Sequence, residues 1–252
     1  MGVELKDRVA IVTGAAQVIG EATVLKLAER GATVVGVDVL ADRLSGVMGS
    51  VPGGFAVPMD VTDAEADRRL VQDVHKRYGR VDILVNVAGG ILGAPAGIER
   101  ISIKDWHRLL DLNLHAPFYL SLAVAPIMKA QKWGRIITVG SGAGRSYSRT
   151  GIVPYTAAKA GVMGLMRQLG VELAPHNVLC NVVSPGMIAS PLGRVEMERR
   201  TEEERAAVYS SIAVKRMGDP MEVANVIAFA ASEEASYVVG QTLTVDGGHW
   251  MF

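Results

Sequence analysis

A tyrosine and a lysine that could exchange a proton are separated by three residues. Tyr155 and Lys159 follow Pro154, which suits the first turn of a helix, so both side chains are expected on one helical face. A tyrosine with its ordinary pKa of about 10 is a poor base at neutral pH, and lowering that pKa by about 2–3 units requires roughly 3–4 kcal/mol. A lysine cation in a partly dry site could supply this energy. The pair indicates an acid/base centre, although tyrosine and lysine also meet by chance on many helices.

A turn near the N-terminus indicates a second functional region. The first predicted strand, Val9–Thr13, runs into a glycine-bounded turn, whose backbone N–H groups could hold a pyrophosphate. Asp38 ends the second predicted strand 24 positions after Gly14, close to the separation of about 20 expected of a ribose-binding carboxylate. An ordinary turn and a helix cap are the competing interpretations. Together the two features favour a dinucleotide site whose turn comprises Gly14, Ala15, Ala16, Gln17, Val18, Ile19 and Gly20.

The residues around Asp38 favour NAD over NADP. The Asp38 carboxylate would accept hydrogen bonds from the adenosine 2′-hydroxyl and would repel a 2′-phosphate. A site for NADP needs a compensating cation, but the turn has none and the residue after Asp38 is Val39. Arg43 is the nearest candidate, and we expect it one helical turn away. The predicted cofactor is therefore NAD.

The elements that must position these residues alternate between strand and helix. Capping boxes are expected at Thr62–Glu65 and Asp219–Glu222, and a long helical region at Ser102–Ala130 is expected to kink near Pro117. Apolar strands alternating with helices indicate a parallel sheet that is buried on both faces. We predict a single α/β domain over residues 1–252, a doubly wound Rossmann fold with a mostly parallel seven-stranded sheet and helices on both faces. The predicted strands are Val9–Thr13, Thr33–Val39, Phe55–Met59, Val81–Val87, Arg135–Val139, Val178–Val183 and Thr242–Val245.

Composition excludes several other classes of protein. The chain has 252 residues, 49% of them hydrophobic, and equal numbers of basic and acidic residues, 26 of each, so it lacks the basic excess of a nucleic-acid-binding protein. The single Cys180 and the absence of a cysteine/histidine cluster argue against a disulfide framework and a metal site. The most apolar stretch, Leu114–Met128, is too short to cross a bilayer. The N-terminus lacks the apolar core of a signal peptide, so we expect a cytoplasmic protein without nucleic-acid or membrane partners.

Beyond these features, motifs along nearly the whole chain resemble those of the short-chain dehydrogenase/reductase family. The sequence at residues 134–141 is most similar to those of 3-oxoacyl-carrier-protein reductases and of their sugar- and alcohol-dehydrogenase relatives. The motifs that carry the resemblance are the turn at 13–20, Asp60-Val61, Asn86-Val87-Ala88-Gly89, Asn113, Ser141, Tyr155 with Lys159, Pro185-Gly186-Met187-Ile188-Ala189-Ser190 and the ending GQTLTVDGG.

The resemblance implies four catalytic residues. Tyr155 would exchange a proton with the substrate oxygen, and Lys159 would lower the pKa of Tyr155 and bind the nicotinamide ribose. Ser141 would hold the substrate oxygen, and Asn113 would anchor a water that relays protons to Lys159. The cofactor contacts expected from the turn, from Asp38 and from the resemblance are Gly14, Gln17, Val18, Ile19, Gly20, Asp38, Asp60, Val61, Asn86, Val87, Ala88, Gly89, Tyr155, Lys159, Pro185, Gly186, Ile188 and Ser190.

Two departures from the family pattern leave an alternative open. The family has glycine at the position of Val18 and asparagine at the position of Val87. Valine at position 18 is expected to be tolerable only at negative φ, and its methyl groups would crowd the adenosine ribose. The two departures are interpreted either as tolerated variation with weaker cofactor affinity or as a damaged site in an NAD-binding regulatory protein.

The substrate is expected to be a small polar or anionic hydroxy compound. Arg145 and Arg149 lie in the segment between Ser141 and Tyr155, and Arg194 lies in the expected substrate lid at about 187–212. Guanidinium groups bind carboxylates, sulfonates or phosphates bidentately. The competing interpretation is that Arg145 and Arg149 face solvent or a neighbouring subunit.

The predicted function is that of an NAD(H)-dependent oxidoreductase that interconverts a secondary alcohol and a ketone. A 3-oxoacyl thioester reductase is the alternative enzyme, but that class normally uses NADPH and a basic docking surface. The family also suggests a homotetramer. The terminal residues Trp250, Met251 and Phe252 are expected at a subunit interface, unless they pack back on their own subunit.

Overall fold

Seven parallel strands form the central sheet of the computed structural model, which describes residues 4–93, 97–146 and 151–250. The strand order is β3-β2-β1-β4-β5-β6-β7, and every neighbouring pair is parallel. This order confirms the predicted doubly wound Rossmann fold. The strands are β1 (Val9–Thr13), β2 (Thr33–Asp38), β3 (Phe55–Pro58), β4 (Ile83–Asn86), β5 (Gly134–Val139), β6 (Val178–Pro185) and β7 (Thr242–Val245).

Helices cover both faces of this sheet. Alternate residues of β1 point to opposite faces, so Ala10 and Val12 join one apolar cluster while Val9 and Ile11 join the other. The α-helices are α1 (Val18–Glu29), α2 (Ala41–Gly49), α3 (Ala64–Tyr78), α4 (Ile103–Leu110), α5 (Ala116–Gln131), α6 (Val153–Leu173), α7 (Pro191–Glu198), α8 (Glu202–Ser210) and α9 (Pro220–Ala230). Helices α1, α2 and α9 pack on the first face, and α3, α5 and α6 pack on the second. The expected lid range contains α7 and α8.

One of the two predicted capping boxes is present, and the other is replaced by a different cap. The capping box that starts at Asp219 is present at the beginning of α9. The box predicted at Thr62 is wrong, because Asp63 caps α3 and accepts hydrogen bonds from the N–H groups of Glu65 and Ala66. Thr62 instead donates its hydroxyl to Asp60.

The long helical region is irregular close to Pro117. A π-helical turn at Asp111–His115 joins α4 to α5 without a break, and Pro117 follows it in the continuous helix, where it lacks the N–H that a helix interior uses. The irregularity therefore precedes Pro117, and it places Asn113 in the widened turn. Across the described ranges, no helix combines the length and the apolar character needed to cross a membrane.

Candidate active site

Helix α6 and the segment after β5 bring Tyr155, Lys159 and Ser141 together. Pro154 lies in the first turn of α6 next to Tyr155, as predicted, and Lys159 follows one turn later on the same face. The Ser141 hydroxyl lies near enough to the Tyr155 phenol to lower the pKa of Tyr155. The Lys159 ammonium lies 5.8 Å from the centre of the Tyr155 ring and donates a 2.8 Å hydrogen bond to the carbonyl of Val139. The serine hydroxyl and the phenol thus lie next to each other, with the buried ammonium behind them on the same helix as the phenol.

Burial changes the titration of both α6 side chains. Lys159 is 3% exposed, and burial lowers its pKa to about 8. Burial raises the pKa of Tyr155 above its ordinary value, and the hydrogen bond to Ser141 offsets part of that rise. In the protein alone the pKa of Tyr155 is therefore raised, whereas the sequence predicts that Lys159 lowers it. A lowered Tyr155 pKa stays a prediction for the enzyme with its cofactor bound.

Asn113 is fixed by the backbone on both sides of the π-helical turn. Its amide nitrogen donates 2.9 Å hydrogen bonds to the carbonyls of Leu109 and Gly90, and its Oδ1 accepts a 3.0 Å hydrogen bond from the Gly90 N–H. A Cβ on Gly89 would lie 2.9 Å from Asn113 Oδ1 and 3.2 Å from Lys159 Nζ. The backbone of Gly89 therefore runs between these two side chains, and only glycine leaves room there.

The carboxyl ends of β1 to β4 enclose a cavity of about 460 Å³. The predicted cofactor residues that line it are Gly14, Gln17, Val18, Ile19, Asp38, Asp60, Val61, Val87, Ala88 and Gly89. Sequence reasoning missed six further lining residues, which are Val37, Val39, Leu40, Met59, Leu92 and Leu112. Four of the six lie within two positions of Asp38 or Asp60, so their place at the end of β2 or β3 could have identified them from the sequence. Leu92 and Leu112 carried no such signal.

The lining of this cavity fits the adenosine half of a dinucleotide. Gly14 has φ +63°, and a Cβ there would lie 2.8 Å from the backbone nitrogen of Ala88, so the turn is closed tightly against the segment after β4. The Asp38 oxygens accept hydrogen bonds from the N–H groups of Ala16 (3.1 Å) and Leu40 (3.0 Å). Each oxygen keeps a lone pair, so the oriented carboxylate can still accept a ribose hydroxyl.

Other predicted cofactor residues lie outside this cavity. Asn86 is buried and donates to Thr138 Oγ1, and Gly20 lies in the first turn of α1. Pro185 ends β6, and the Gly186 N–H donates to the carbonyl of Val245. Farther along, Ile188 pairs with Gly218 and the Ser190 hydroxyl caps α7. The last four residues are therefore grouped at the start of the expected lid, apart from the adenosine cavity.

The turn after β1 differs from its prediction at Val18. Val18 adopts φ +50°, so the expectation that valine requires negative φ is wrong. The turn imposes a left-handed conformation that costs an L-residue roughly 1–2 kcal/mol. Arg43 lies in the first turn of α2, as expected, and its guanidinium donates a 3.3 Å hydrogen bond to Gln17 Oε1 in this turn.

Two of the arginines proposed for the substrate, Arg145 and Arg194, lie in different places. Arg145 is exposed and donates a 3.3 Å hydrogen bond to Thr244 Oγ1 on β7. Arg194 lines a separate cavity of about 750 Å³ with Gln17 and Arg43, and that cavity takes no residue from the Ser141 segment. Arg149 lies outside the described residues.

The C-terminal tryptophan packs back on its own subunit. The Trp250 ring lies on Gly142, as the competing interpretation expected, and its placement at a subunit interface stays a prediction. The subunit provides an apolar partner for the ring beside Ser141. Met251 and Phe252 lie outside the described part of the chain.

Comparisons with known proteins agree with this geometry. A family model described as Enoyl-(Acyl carrier protein) reductase matches residues 14–249. The 3-oxoacyl-[acyl-carrier-protein] reductase of Thermotoga maritima is 38% identical, over 97% of this chain and 98% of its own length. The Escherichia coli K12 protein of the same name is 35% identical, over 98% of both chains.

A solved structure extends the likeness to the fold. The crystal structure of gox2181 superimposes with a TM-score of 0.92 at 37% identity, covering 98% of this chain and 96% of the other. The fold, the Ser141–Tyr155–Lys159 arrangement and the full-length relatives agree: the chain belongs to the short-chain dehydrogenase/reductase family and is an oxidoreductase acting on CH–OH groups.

Proposed function

We propose that this oxidoreductase interconverts a secondary alcohol and a ketone with NAD(H). The observation that carries the proposal is the grouping of Ser141 and Tyr155 beside the buried Lys159 ammonium, which lies 5.8 Å from the centre of the Tyr155 ring. Bound nicotinamide would supply the hydride acceptor or donor at the substrate carbon. The protein's own residues supply orientation and proton transfer.

Four side chains have separate roles in holding the substrate oxygen and in transferring its proton. The Ser141 hydroxyl holds the substrate oxygen, and Tyr155 Oη takes the hydroxyl proton in oxidation or returns it in reduction. The Lys159 cation favours the phenolate electrostatically and would bind the nicotinamide ribose. Asn113, held by the Gly90 backbone, is positioned to anchor a water that would pass protons to Lys159.

Asp38 supports NAD as the preferred cofactor. Its carboxylate is 8% exposed, lines the adenosine cavity and is oriented by two backbone N–H groups. A 2′-phosphate beside this anion would be repelled at close range. Arg43 is the nearby cation that could favour NADP; its guanidinium donates one hydrogen bond to Gln17 and keeps its charge.

The substrate class rests on fewer observations. A small polar or anionic hydroxy compound is supported by the arginines and hydroxyl residues of the segment that joins Ser141 to Tyr155. Arg145 contacts β7 and Arg194 lies near Gln17, so Arg149 is the arginine on which an anionic substrate would depend. The cytoplasm is the proposed location.

The names of the relatives favour one specific alternative, a 3-oxoacyl thioester reductase. Asp38 and the zero net charge argue against NADPH and against docking of an acidic carrier. An NAD-binding regulatory protein without turnover is the alternative outside catalysis, and the Val18 strain is the observation that favours it.

One experiment separates the three functions. The protein is incubated with NAD⁺ or NADP⁺ and a panel of polyols, hydroxy acids and hydroxysulfonates, and with NADH or NADPH and the corresponding ketones or a 3-oxoacyl thioester. Nicotinamide absorbance reports turnover. We expect NAD(H) to be preferred at least about tenfold in kcat/KM, with Asp38→Ser reducing that preference. Efficient thioester reduction with NADPH would favour the alternative enzyme, and cofactor binding without turnover would favour the regulatory protein.

A further inference from the structure

The C-terminal segment forms a turn that folds back over the catalytic region. Asp246 accepts hydrogen bonds from the Gly248 N–H (2.9 Å, Oδ1) and from the Trp250 N–H (2.8 Å, Oδ2). Gly247 and Gly248 have φ values of +64° and +77°, which glycine adopts at little cost. One carboxylate thus fixes the direction in which Trp250 leaves the turn.

Trp250 packs directly on the residue that follows the catalytic serine. Gly142 is buried, and a Cβ built on it would overlap Cζ3 and Cε3 of the indole. Ser141 Oγ accepts a 3.2 Å hydrogen bond from the Ala143 N–H, so the indole covers the same short 3₁₀ turn that holds the serine hydroxyl.

The same C-terminal segment also contacts the end of the expected lid. The His249 ring meets Trp250 edge-on at 4.0 Å, and its Nδ1 lies 3.2 Å from Ser211 Oγ. The Val214 N–H donates a 3.1 Å hydrogen bond to the carbonyl of Gly247. The C-terminal segment that carries the indole is therefore also held by residues 211 and 214 and does not rest on the Ser141 turn alone.

We propose that Trp250 is a positioning residue for the reaction: its indole holds the Gly142 turn in place, and with it the Ser141 hydroxyl beside Tyr155. The inference rests on the proposed function, in which Ser141 and Tyr155 share the substrate oxygen. The turn contains Gly142 and Gly144, which have no side chains to stabilise it, so the ring supplies the packing that the turn lacks. A displacement of about 1 Å in such a contact can lower a rate about 100-fold.

The first test compares Trp250→Ala with Trp250→Phe and with Tyr237→Ala, which removes a 99% exposed aromatic ring as a control. We expect Trp250→Ala to lower kcat about tenfold or more and to leave the Kd for NAD⁺ within about twofold. Trp250→Phe should keep most of the activity. Because the Ser141 hydroxyl lowers the pKa of Tyr155, its displacement should also move the half-maximal pH for alcohol oxidation upward.

A double-mutant cycle tests the contact itself. Gly142→Ala places a methyl group against the indole and should be impaired alone, yet it should add little further loss to Trp250→Ala. Additive losses, or a Trp250→Ala enzyme with unchanged kcat and pH profile, would overturn the proposal.

Amide hydrogen exchange separates this inference from the proposed function, because it needs no turnover. Trp250→Ala should speed exchange in the peptide that covers residues 141–146, and Tyr237→Ala should not. If the unmodified protein oxidises no alcohol but exchange still rises in Trp250→Ala, the proposed function is wrong and the packing role of Trp250 is retained. Unchanged exchange would refute the packing role whatever the activity.

Discussion

Val18 combines a strained backbone with a place in the cofactor cavity. At φ +50° this β-branched residue adopts a conformation that glycine takes far more easily, and its side chain lines the adenosine cavity. Val18→Gly should lower the Kd for NAD⁺ several-fold, because it removes methyl groups from the space that the ribose would occupy. Relief of strain, roughly 1–2 kcal/mol, is offset by the entropy of a glycine, so stability should change by less than about 1 kcal/mol.

Titration calorimetry checks this prediction. Val87→Ala provides the control, because Val87 lines the same cavity and is not among the positive-φ residues. Weaker binding of NAD⁺ by Val18→Gly than by the unmodified protein would show that the valine contributes to the site instead of crowding it.

At the level of single residues, local spacing predicted some of the site and left other parts hidden. The proximity of Tyr155 and Lys159 and the position of Asp38 follow from helix and strand geometry along a few residues. The packing of Trp250 on Gly142 joins positions that are far apart in the sequence, and only the folded chain shows it. The same holds for Arg145, whose partner lies on the edge strand β7.

Helix α3 carries a carboxyl group on its apolar face. Asp67 is 0% exposed, and neither of its oxygens has a hydrogen-bond partner among the described residues. Burial, followed by the nearby charges of Asp63 and Asp60, raises the pKa of Asp67 to about 7. The folded protein thus keeps a proton that the unfolded chain releases near pH 4. Stability should fall as pH rises from about 4 to about 7 and should then level off.

Asp67→Asn removes this penalty, because the amide stays neutral. A pKa difference of about 3 units corresponds to about 4 kcal/mol, so the variant should be more stable than the unmodified protein by about that amount at pH 8 and nearly equal to it at pH 4. Denaturant unfolding at the two pH values measures the difference, with the exposed Asp73→Asn in the same helix as the control. Equal effects of Asp67→Asn at both pH values would contradict the assignment.

The order and type of the strands and helices were predicted well because apolar runs and capping residues act locally. Every predicted strand is present, although β2, β3 and β4 are shorter than predicted and β6 extends to Pro185. The π-helical turn at Asp111–His115 could not be predicted in this way. It is associated with the hydrogen bonds of Asn113 to Leu109 and Gly90, and the second of these depends on the tertiary fold.

For the whole molecule, the exposed apolar side chains of two helices support the proposed homotetramer. Phe118 and Leu122 lie one turn apart on α5, and Val153 and Val171 lie five turns apart on α6, so each pair occupies one helix face. Leu122 is 62% exposed and Val171 is 71% exposed. Burial of such residues against another subunit removes apolar surface from water.

Leu122→Glu combined with Val171→Glu should therefore reduce the assembly to smaller species, because charges on this face would have to be buried. Light scattering coupled to gel filtration measures the mass in solution. Tyr237→Glu, which alters a 99% exposed side chain elsewhere, serves as the control. An unchanged mass for the double variant would remove these helix faces from the interface.

Replacement of Tyr155 by phenylalanine tests catalysis by this site most directly. The change removes the proton-transfer oxygen and little else. We predict that Tyr155→Phe lowers kcat at least about 100-fold while the Kd for NADH stays within about threefold, and that Tyr237→Phe changes neither. Turnover assays measure kcat, and fluorescence titration measures the Kd for NADH, on the same preparations of each protein. Retention of more than a few per cent of turnover by Tyr155→Phe would contradict the assignment of Tyr155 as the acid/base.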